Sequence, residues 1–596
     1  MRDRAALGAA VSRAAPKAPL RAASRGAWLA SLSIAAFTAC APTRPPQPFD
    51  IVETSIAEIQ QAIRSGRTTC VEIVQAHIDR IEAYDKSTGL NAITVVNPNA
   101  LARAAELDLA LAGGQPMGPL FCAPLLVKDN FDTHDMPTTA GSIVLAENHP
   151  PDDAFMVRKI REAGAVIVAK TNMAEWAFSP RQTESSSYGV TANAYALDRV
   201  PAGSSGGTAS GVAASFGVAG LGSDTGNSIR GPSSHLALFG IRSTIGLTSR
   251  DGVVPLAFDR DIAGPIARSV EDAARIFNVV AGYDPADPFT EQGKREDDYT
   301  AFLDPEGLQG ARIGVLRALV DTQDADPEVK ALFEQAVAGL RQAGASIVDP
   351  VEIPNFAAHL KDKGFCQRFR YDMYVYLQSL GDKAPLVEIA PPEDRAPPGD
   401  RASQGSRASQ REDAPPGDKE PQENRSSPGQ TPLRDVMEAY KSGRYSPYIK
   451  EAFASFLDGP LDVPPEQWDP PCLPYLENPR RKAFLDDVTA AMDQAGVDVL
   501  IYPTWTNPPA HLDKAREEYK GDNSQLVAPA TGMPAATVPM GYTYGTLPAG
   551  LQILARRYGE GAIFRIAFAY EKTTRHRRPP EGFPSVQRNP ESKAAR

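Results

Sequence analysis

Histidine is scarce in this chain, and the scarcity narrows the chemistry at once. There are seven in 596 residues. His77 lies on the apolar face of an expected helix, where a hydrogen-bonded core residue is the ordinary outcome. Only His235 falls within the glycine- and serine-rich stretch from Pro201 to Arg250, and no acidic residue is placed to orient it. A serine activated by a histidine is therefore not the expectation. Cysteine is also rare. Cys40, Cys70, Cys122, Cys366 and Cys472 are scattered without CxxC or metal-ligand spacing, and no metal or cofactor is expected from them. With Cys40 set aside, four remain and up to two disulfides are possible. Buried free thiols are the default reading. Beyond residue 40 no apolar run reaches the length of a membrane-spanning helix. Positive charge is in deficit as well: the formal charge is −11, and the first forty residues carry six Lys/Arg against one Asp, which leaves about −16 on the remainder. An acidic body argues against nucleic acid as a partner.

What the first forty residues contain is an export signal rather than fold. The basic residues up to Arg25 precede the apolar run Ala27–Ala39, the order of a charged region followed by a short hydrophobic one. The run ends Phe-Thr-Ala-Cys and resembles a bacterial lipoprotein box with Phe37 in the usual leucine place. Cys40 is the expected lipid anchor, with an ordinary cleaved signal as the alternative. Either way the expected location is the periplasm or cell envelope, with membrane attachment through Cys40 in the first case.

Residues 41–596 read as one large domain. Thr54–Ser65 is an expected helix with Thr54 or Ser55 as cap and Ile56, Ile59 and Ile63 on one face. Val71–Tyr84 repeats the pattern. Ala123–Val127 is a short apolar strand with Lys128 at its end. Helix Phe155–Glu162, strand Ala165–Ala169, strand Arg312–Leu316, helix Pro327–Gln342 and strand Ser346–Val348 continue the alternation. Alternation of this kind gives an α/β fold, a sheet covered by helices on both faces. Residues 391–430 contain no Val, Ile, Leu, Met, Phe, Trp, Tyr or Cys, and they repeat APPGD and RASQ. Such a segment cannot bury enough apolar surface to offset its ordering entropy, so a disordered low-complexity insert is expected there. The basic tail from Thr573 is expected to fray.

The stretch from Pro201 to Arg250 carries the chemistry. Ser204, Ser205, Thr208, Ser210, Ser223, Thr225 and Ser228 supply hydroxyls, and glycines such as Gly203, Gly206, Gly207, Gly222 and Gly226 let backbone N–H groups approach a ligand. Gly206–Phe216 reads as a buried helix of small residues and Gly217–Gly222 as the strand after it. A hydroxyl-rich, glycine-rich site suits a serine that attacks while backbone amides hold an oxyanion.

GSSGG at Gly203–Gly207, GSDTGNSIRGP at Gly222–Pro232 and APLLVKDN ending at Asn130 together resemble the amidase signature family, from about Phe49 to Glu571. The resemblance implies a single mixed, twisted β-sheet with helices on both faces. It implies Ser228 as nucleophile, Ser204 as a bridging serine 24 residues earlier, Lys128 as base, and a cis bond between Gly203 and Ser204. The backbone amides of Thr225, Gly226, Asn227 and Ser228 would form the oxyanion hole. Ser205 would support the Ser204–Ser228 contact, and Asp224 with Arg230 would hold the loop. A lysine acts as a base only when neutral, and its reference pKa is about 10.4, so the site must depress it by burial. Asn227 departs from the family, where glycine is usual, and that bears on substrate choice. Asn523–Pro539 and Leu547–Leu554 resemble the segments that rim the family's cleft. The expected activity is hydrolysis of a small-molecule or peptide amide through an acyl-enzyme on Ser228, without cofactor or metal. The alternatives are the A subunit of a tRNA-dependent amidotransferase and a non-catalytic binding protein on the same fold.

Overall fold

A computed structural model of the chain describes residues 49–361, 364–388 and 430–586. The expected signal and Cys40 lie outside these residues, and so does the expected insert apart from Gln430. No helix among the described residues is long and apolar enough to cross a membrane.

The chain enters through two capped helices. Ser55 and Glu58 form a reciprocal cap on Ile56–Arg64, and Thr69 and Glu72 do the same for Cys70–Tyr84, each satisfying two otherwise orphaned N–H groups. Because Thr69 is the cap, the second helix starts one residue before the expected Val71. His77 is buried on it and bonds the Ile73 carbonyl at 2.8 Å.

Eleven strands make one mixed sheet. In chain order they are β1 (Ile93–Val96), β2 (Pro124–Lys128), β3 (Val166–Thr171), β4 (Ala219–Ser223), β5 (Phe239–Arg242), β6 (Ala263–Ala267), β7 (Arg312–Val315), β8 (Ser346–Val348), β9 (Val499–Pro503), β10 (Ala535–Thr543) and β11 (Leu547–Ala555). Their spatial order is β1-β3-β2-β4-β6-β5-β10-β11-β9-β7-β8. The neighbours β3, β2 and β4 run parallel, as do β9, β7 and β8. An antiparallel centre joins the two groups. Helices cover both faces. Every residue of β2, β3 and β4 is buried, which is why these strands read as apolar runs and not as alternating ones.

Several expectations need correction. The small-residue helix is Gly206–Ala213, entirely buried but shorter than expected. It ends because Ser215 takes a left-handed conformation (φ 58°) and turns the chain into β4. The four cysteines among the described residues are not free thiols: Cys70 pairs with Cys122, and Cys366 with Cys472. The tail does not fray at Thr573. The helix Glu560–Thr574 is followed by an extended strap in which Arg577 ion-pairs with Glu53 at 2.7 Å and Phe583 is buried. Gln430 already belongs to a strand. Gln430–Pro432 pairs antiparallel with Leu386–Glu388, and Glu388 faces Gln430. The residues on either side of the expected insert are thus hydrogen-bonded to each other. They sit beside a separate aromatic core in which Phe369, Phe453 and Phe456 pack on Trp176 and Phe178.

Candidate active site

Sheet order creates the site. β2 and β4 are parallel neighbours with Val127 opposite Leu221, so Lys128 and Ser223 end side by side. Lys128 Nζ donates to Ser223 Oγ at 2.8 Å and to Ser204 Oγ at 2.7 Å. Lys128 closes β2 itself, one residue later than the strand read from sequence, and has no exposed surface. Burial pushes its pKa down to about 7, against the pull of the Asp261 and Asp224 carboxylates. Its bonded partners are neutral hydroxyls, which do little to hold an ammonium compared with a carboxylate.

Ser204 lies on a tight turn. Its peptide bond with Gly203 is cis, as the family resemblance implied. A Cβ on Gly203 would lie 2.4 Å from the Ser179 carbonyl oxygen, and one on Gly207 2.2 Å from that of Asn172. Only glycine fits such backbone approaches. The Ser205 N–H donates to the Ser228 carbonyl at 3.3 Å and its hydroxyl to the Ser223 carbonyl at 3.2 Å. Ser205 therefore ties the Ser204 turn to the 223–228 loop through the backbone.

That loop is anchored by Asp224. Burial alone would raise its pKa, but Arg230 and Arg242 outweigh it and bring the carboxyl down to about 2. Arg230 reaches Asp224 with two nitrogens, each at 3.1 Å, and Arg242 at 3.2 Å. The guanidinium of Arg230 also bonds the Gly226 carbonyl at 2.6 Å and Gln552 at 3.0 Å. The expected pair is thus part of a buried trio. The Thr225 hydroxyl bonds Asp261, whose carboxyl burial raises. Among the described residues, the N–H groups of Thr225, Gly226, Asn227 and Ser228 have no protein acceptor, whereas those of Ile229 and Arg230 bond Asp224. Four consecutive unbonded amides leave donors free to meet an oxyanion.

Not every expected residue meets its partner. The Ser228 hydroxyl does not bond Ser204; it contacts Asn227 Oδ1 at 3.4 Å. His235 is buried against Trp505, 4.5 Å between ring centroids, with neither nitrogen hydrogen-bonded. Burial lowers its pKa to about 3, so it packs as a neutral ring. Three residues close to the chemistry, Asn130, Arg242 and Asp261, were not singled out from sequence, and Ser223 was read only as one of the hydroxyls of the stretch. Ser223 and Asn130 lie inside the quoted motifs, and Asn130 Nδ2 bonds Ser223 Oγ at 3.0 Å. Arg242 and Asp261 carried no local signal.

A buried lysine bonded to a serine hydroxyl, beside a glycine-rich loop of free amides, is an arrangement suited to a serine nucleophile and the oxyanion it creates. The Amidase family model matches residues 72–380, and the chain belongs to the amidase signature family. It is 33% identical to the A subunit of the glutamyl-tRNA(Gln) amidotransferase of Thermosynechococcus vestitus, over 87% of this chain and 98% of that protein. Among solved structures it resembles the peptide amidase of Stenotrophomonas maltophilia, with 32% identity, a TM-score of 0.72 and coverage of 90% and 99% of the two chains. For the A subunit of the Thermotoga maritima amidotransferase the identity is 25%, the TM-score 0.61 and the coverage 90% and 98%.

Proposed function

We propose that this protein hydrolyses an amide to an acid and an amine or ammonia through an acyl-enzyme on Ser228. The observation that carries the reading is Lys128: it is fully buried and lies 2.7 Å from Ser204, and burial pushes its pKa down to about 7. Neutral Lys128 takes the proton of Ser204 as Ser204 takes that of Ser228. Ser228 Oγ then bonds the amide carbon, and the oxyanion forms against the amides of residues 225–228. The relay returns the proton to the nitrogen as the C–N bond breaks. Water, deprotonated along the same path, releases the acid. For this the Ser228 hydroxyl must turn from Asn227 toward Ser204.

A second reading is supported by relatives up to 33% identical, whose names make them A subunits of a glutamyl-tRNA(Gln) amidotransferase. On that reading the chain works with partner proteins. Two observations support the hydrolase instead: the higher TM-score to peptide amidase, and two disulfides, which persist outside reducing compartments. They also accord with export through the signal expected before Cys40. The experiment is a screen of peptide and small-molecule amides with the purified chain alone, with hydroxylamine trapping of the acyl group. Turnover without partners and an adduct on Ser228 are expected. Chymostatin, a competitive inhibitor of a peptide amidase 32% identical to this chain, is expected to inhibit. Ammonia release only in the presence of partner proteins would favour the second reading, and an adduct on another residue would sink the nucleophile assignment.

A further inference from the structure

The residue beside the nucleophile is held in an orientation that gives it a task. Asn227 is 1% exposed. Its Nδ2 donates to the Pro180 carbonyl at 3.2 Å and to Asp522 Oδ2 at 3.0 Å. The Pro180 carbonyl can only accept, so it dictates which end of the carboxamide faces it. Reversing the group would set Oδ1 against that carbonyl and forfeit the Asp522 bond. Asp522 is held in turn, accepting from Tyr519 and from Gln525 at 3.0 Å each. Nδ2 also lies against Gly231, where a Cβ would come within 2.8 Å of it, so glycine at 231 leaves the space this orientation of the carboxamide occupies. Oδ1 therefore faces Ser228, and its contact with Oγ is 3.4 Å. That is long for a hydroxyl bond, and easily surrendered.

The consequence follows from the reaction. When Ser228 turns to Ser204, Oδ1 becomes a buried acceptor with no donor, next to the carbon under attack. An amide nitrogen brings its own N–H to that place. An ester oxygen, or a nitrogen with two substituents, brings none, and sets lone pairs or carbon against a carbonyl. A site built to bond an N–H discriminates against an analogue that lacks it, because its own polar group is then left unpaired. The same contact has a second effect. With its N–H held by Oδ1, the nitrogen of the tetrahedral intermediate is oriented with its lone pair free to take the proton returned through Ser204.

We propose that Asn227 Oδ1 is a specificity-determining acceptor for the N–H of the scissile amide, so that the site selects primary and secondary amides over esters and N,N-disubstituted amides. This rests on Ser228 as nucleophile. The bonds made and broken are those of acyl transfer, and Asn227 exchanges no proton.

The test is kcat/KM for the primary amide, the N,N-dimethylamide and the methyl ester of one N-blocked dipeptide, in the wild type, Asn227→Gly and Asn227→Ala. Hydroxylamine trapping is run on each. The expected result is an amide-to-ester ratio at least tenfold lower in both variants, with the dimethylamide gaining on the primary amide and the acyl group still on Ser228. General damage to the fold lowers all three substrates together and leaves the ratios unmoved. Unchanged ratios with acylation intact at Ser228 would overturn the proposal and spare the nucleophile assignment. Absence of a Ser228 adduct in the wild type would remove that assignment and the proposal with it.

Discussion

Lys128 and Ser223 end two neighbouring parallel strands, and the lysine Nζ donates to the serine hydroxyl at 2.8 Å. Ser223 is thus as close a partner of the candidate base as Ser204 is, at 2.7 Å. It receives a second donor from Asn130 at 3.0 Å. An acceptor bonded to an amine favours its charged form. Ser223→Ala removes that acceptor, so the acid limb of the kcat/KM profile is expected to move to lower pH. The rate at its plateau is expected to fall roughly tenfold as the lysine loses a positioning bond, about the scale of one hydrogen bond. A profile superposable on the wild type would make Ser223 a bystander.

Asp224 is a structural keystone of the loop, and its removal exposes what it balances. Arg230 and Arg242 are fully buried beside it, and breaking a buried ion pair by deleting one partner costs about 3–5 kcal/mol. Asp224→Ala is expected to lose that much in denaturant melts. Its carboxyl is depressed to about 2 from an ordinary 3.8. Its stabilisation is therefore complete above about pH 4 and vanishes as the pH falls through 2. Wild type and variant should converge in acid. A loss below about 1 kcal/mol at pH 7 would refute the arrangement.

The cysteine pairing is checked by counting thiols in the denatured, unreduced protein. With Cys70–Cys122 and Cys366–Cys472 formed, one thiol is expected if Cys40 is present and unmodified, and none if it is lipidated or cleaved away. Four or five thiols would abolish the pairing. Cys70→Ala/Cys122→Ala is expected to lower stability by about 2–4 kcal/mol.

The segment between Glu388 and Gln430 can be shortened without touching the ribbon that joins them. These two residues face each other across an antiparallel pair, so a turn of about four residues spans the gap. Replacing residues 389–429 by such a turn is expected to leave the amidase rate unchanged and the melting temperature equal or slightly higher. Loop closure changes by only about 0.6 kcal/mol per doubling of length. A loss of several kcal/mol would show that the segment packs.

How much of this was legible beforehand follows from range. Lys128, Ser204 and Ser228 lie in short motifs whose composition and order carry the chemistry. The cap of the first helix was also readable, with Ser55 one of two candidates, because a cap is a local hydrogen bond. Ser223 was visible as a hydroxyl but not as a partner of Lys128, since that contact needs the pairing of β2 with β4. The Asn227–Asp522 bond spans 295 residues and the Arg577–Glu53 pair 524, and neither leaves a local pattern. The tail looked frayed because the partner of Arg577, Glu53, lies at the other end of the described chain. The disulfides were undecided for the same reason, as the pairing joins segments 52 and 106 residues apart.

Lys128→Met gives the most discriminating test, because it separates activity from stability and predicts opposite signs. Removal of a general base costs about 10²–10⁴-fold, so turnover should fall at least that far. The wild-type rate itself should decline below about pH 7, where Lys128 becomes protonated. Stability should move the other way. The folded pKa is about 7 and the ordinary value 10.5. Below pH 7 both folded and unfolded chains carry the proton, and the folded state bears the full cost of a buried ammonium. Between 7 and 10.5 only the unfolded chain holds the proton, so wild-type stability rises with pH. A methionine of similar length has no such charge to bury. The variant is therefore expected to be more stable than the wild type by a few kcal/mol at pH 6, at about 1.4 kcal/mol per pKa unit, and its advantage should shrink steadily toward pH 10. Urea melts at four pH values measure it. A variant less stable than wild type at pH 6, or a difference that does not change with pH, would show that Lys128 is not held near neutrality in the folded protein, and the base assignment would lose its physical ground.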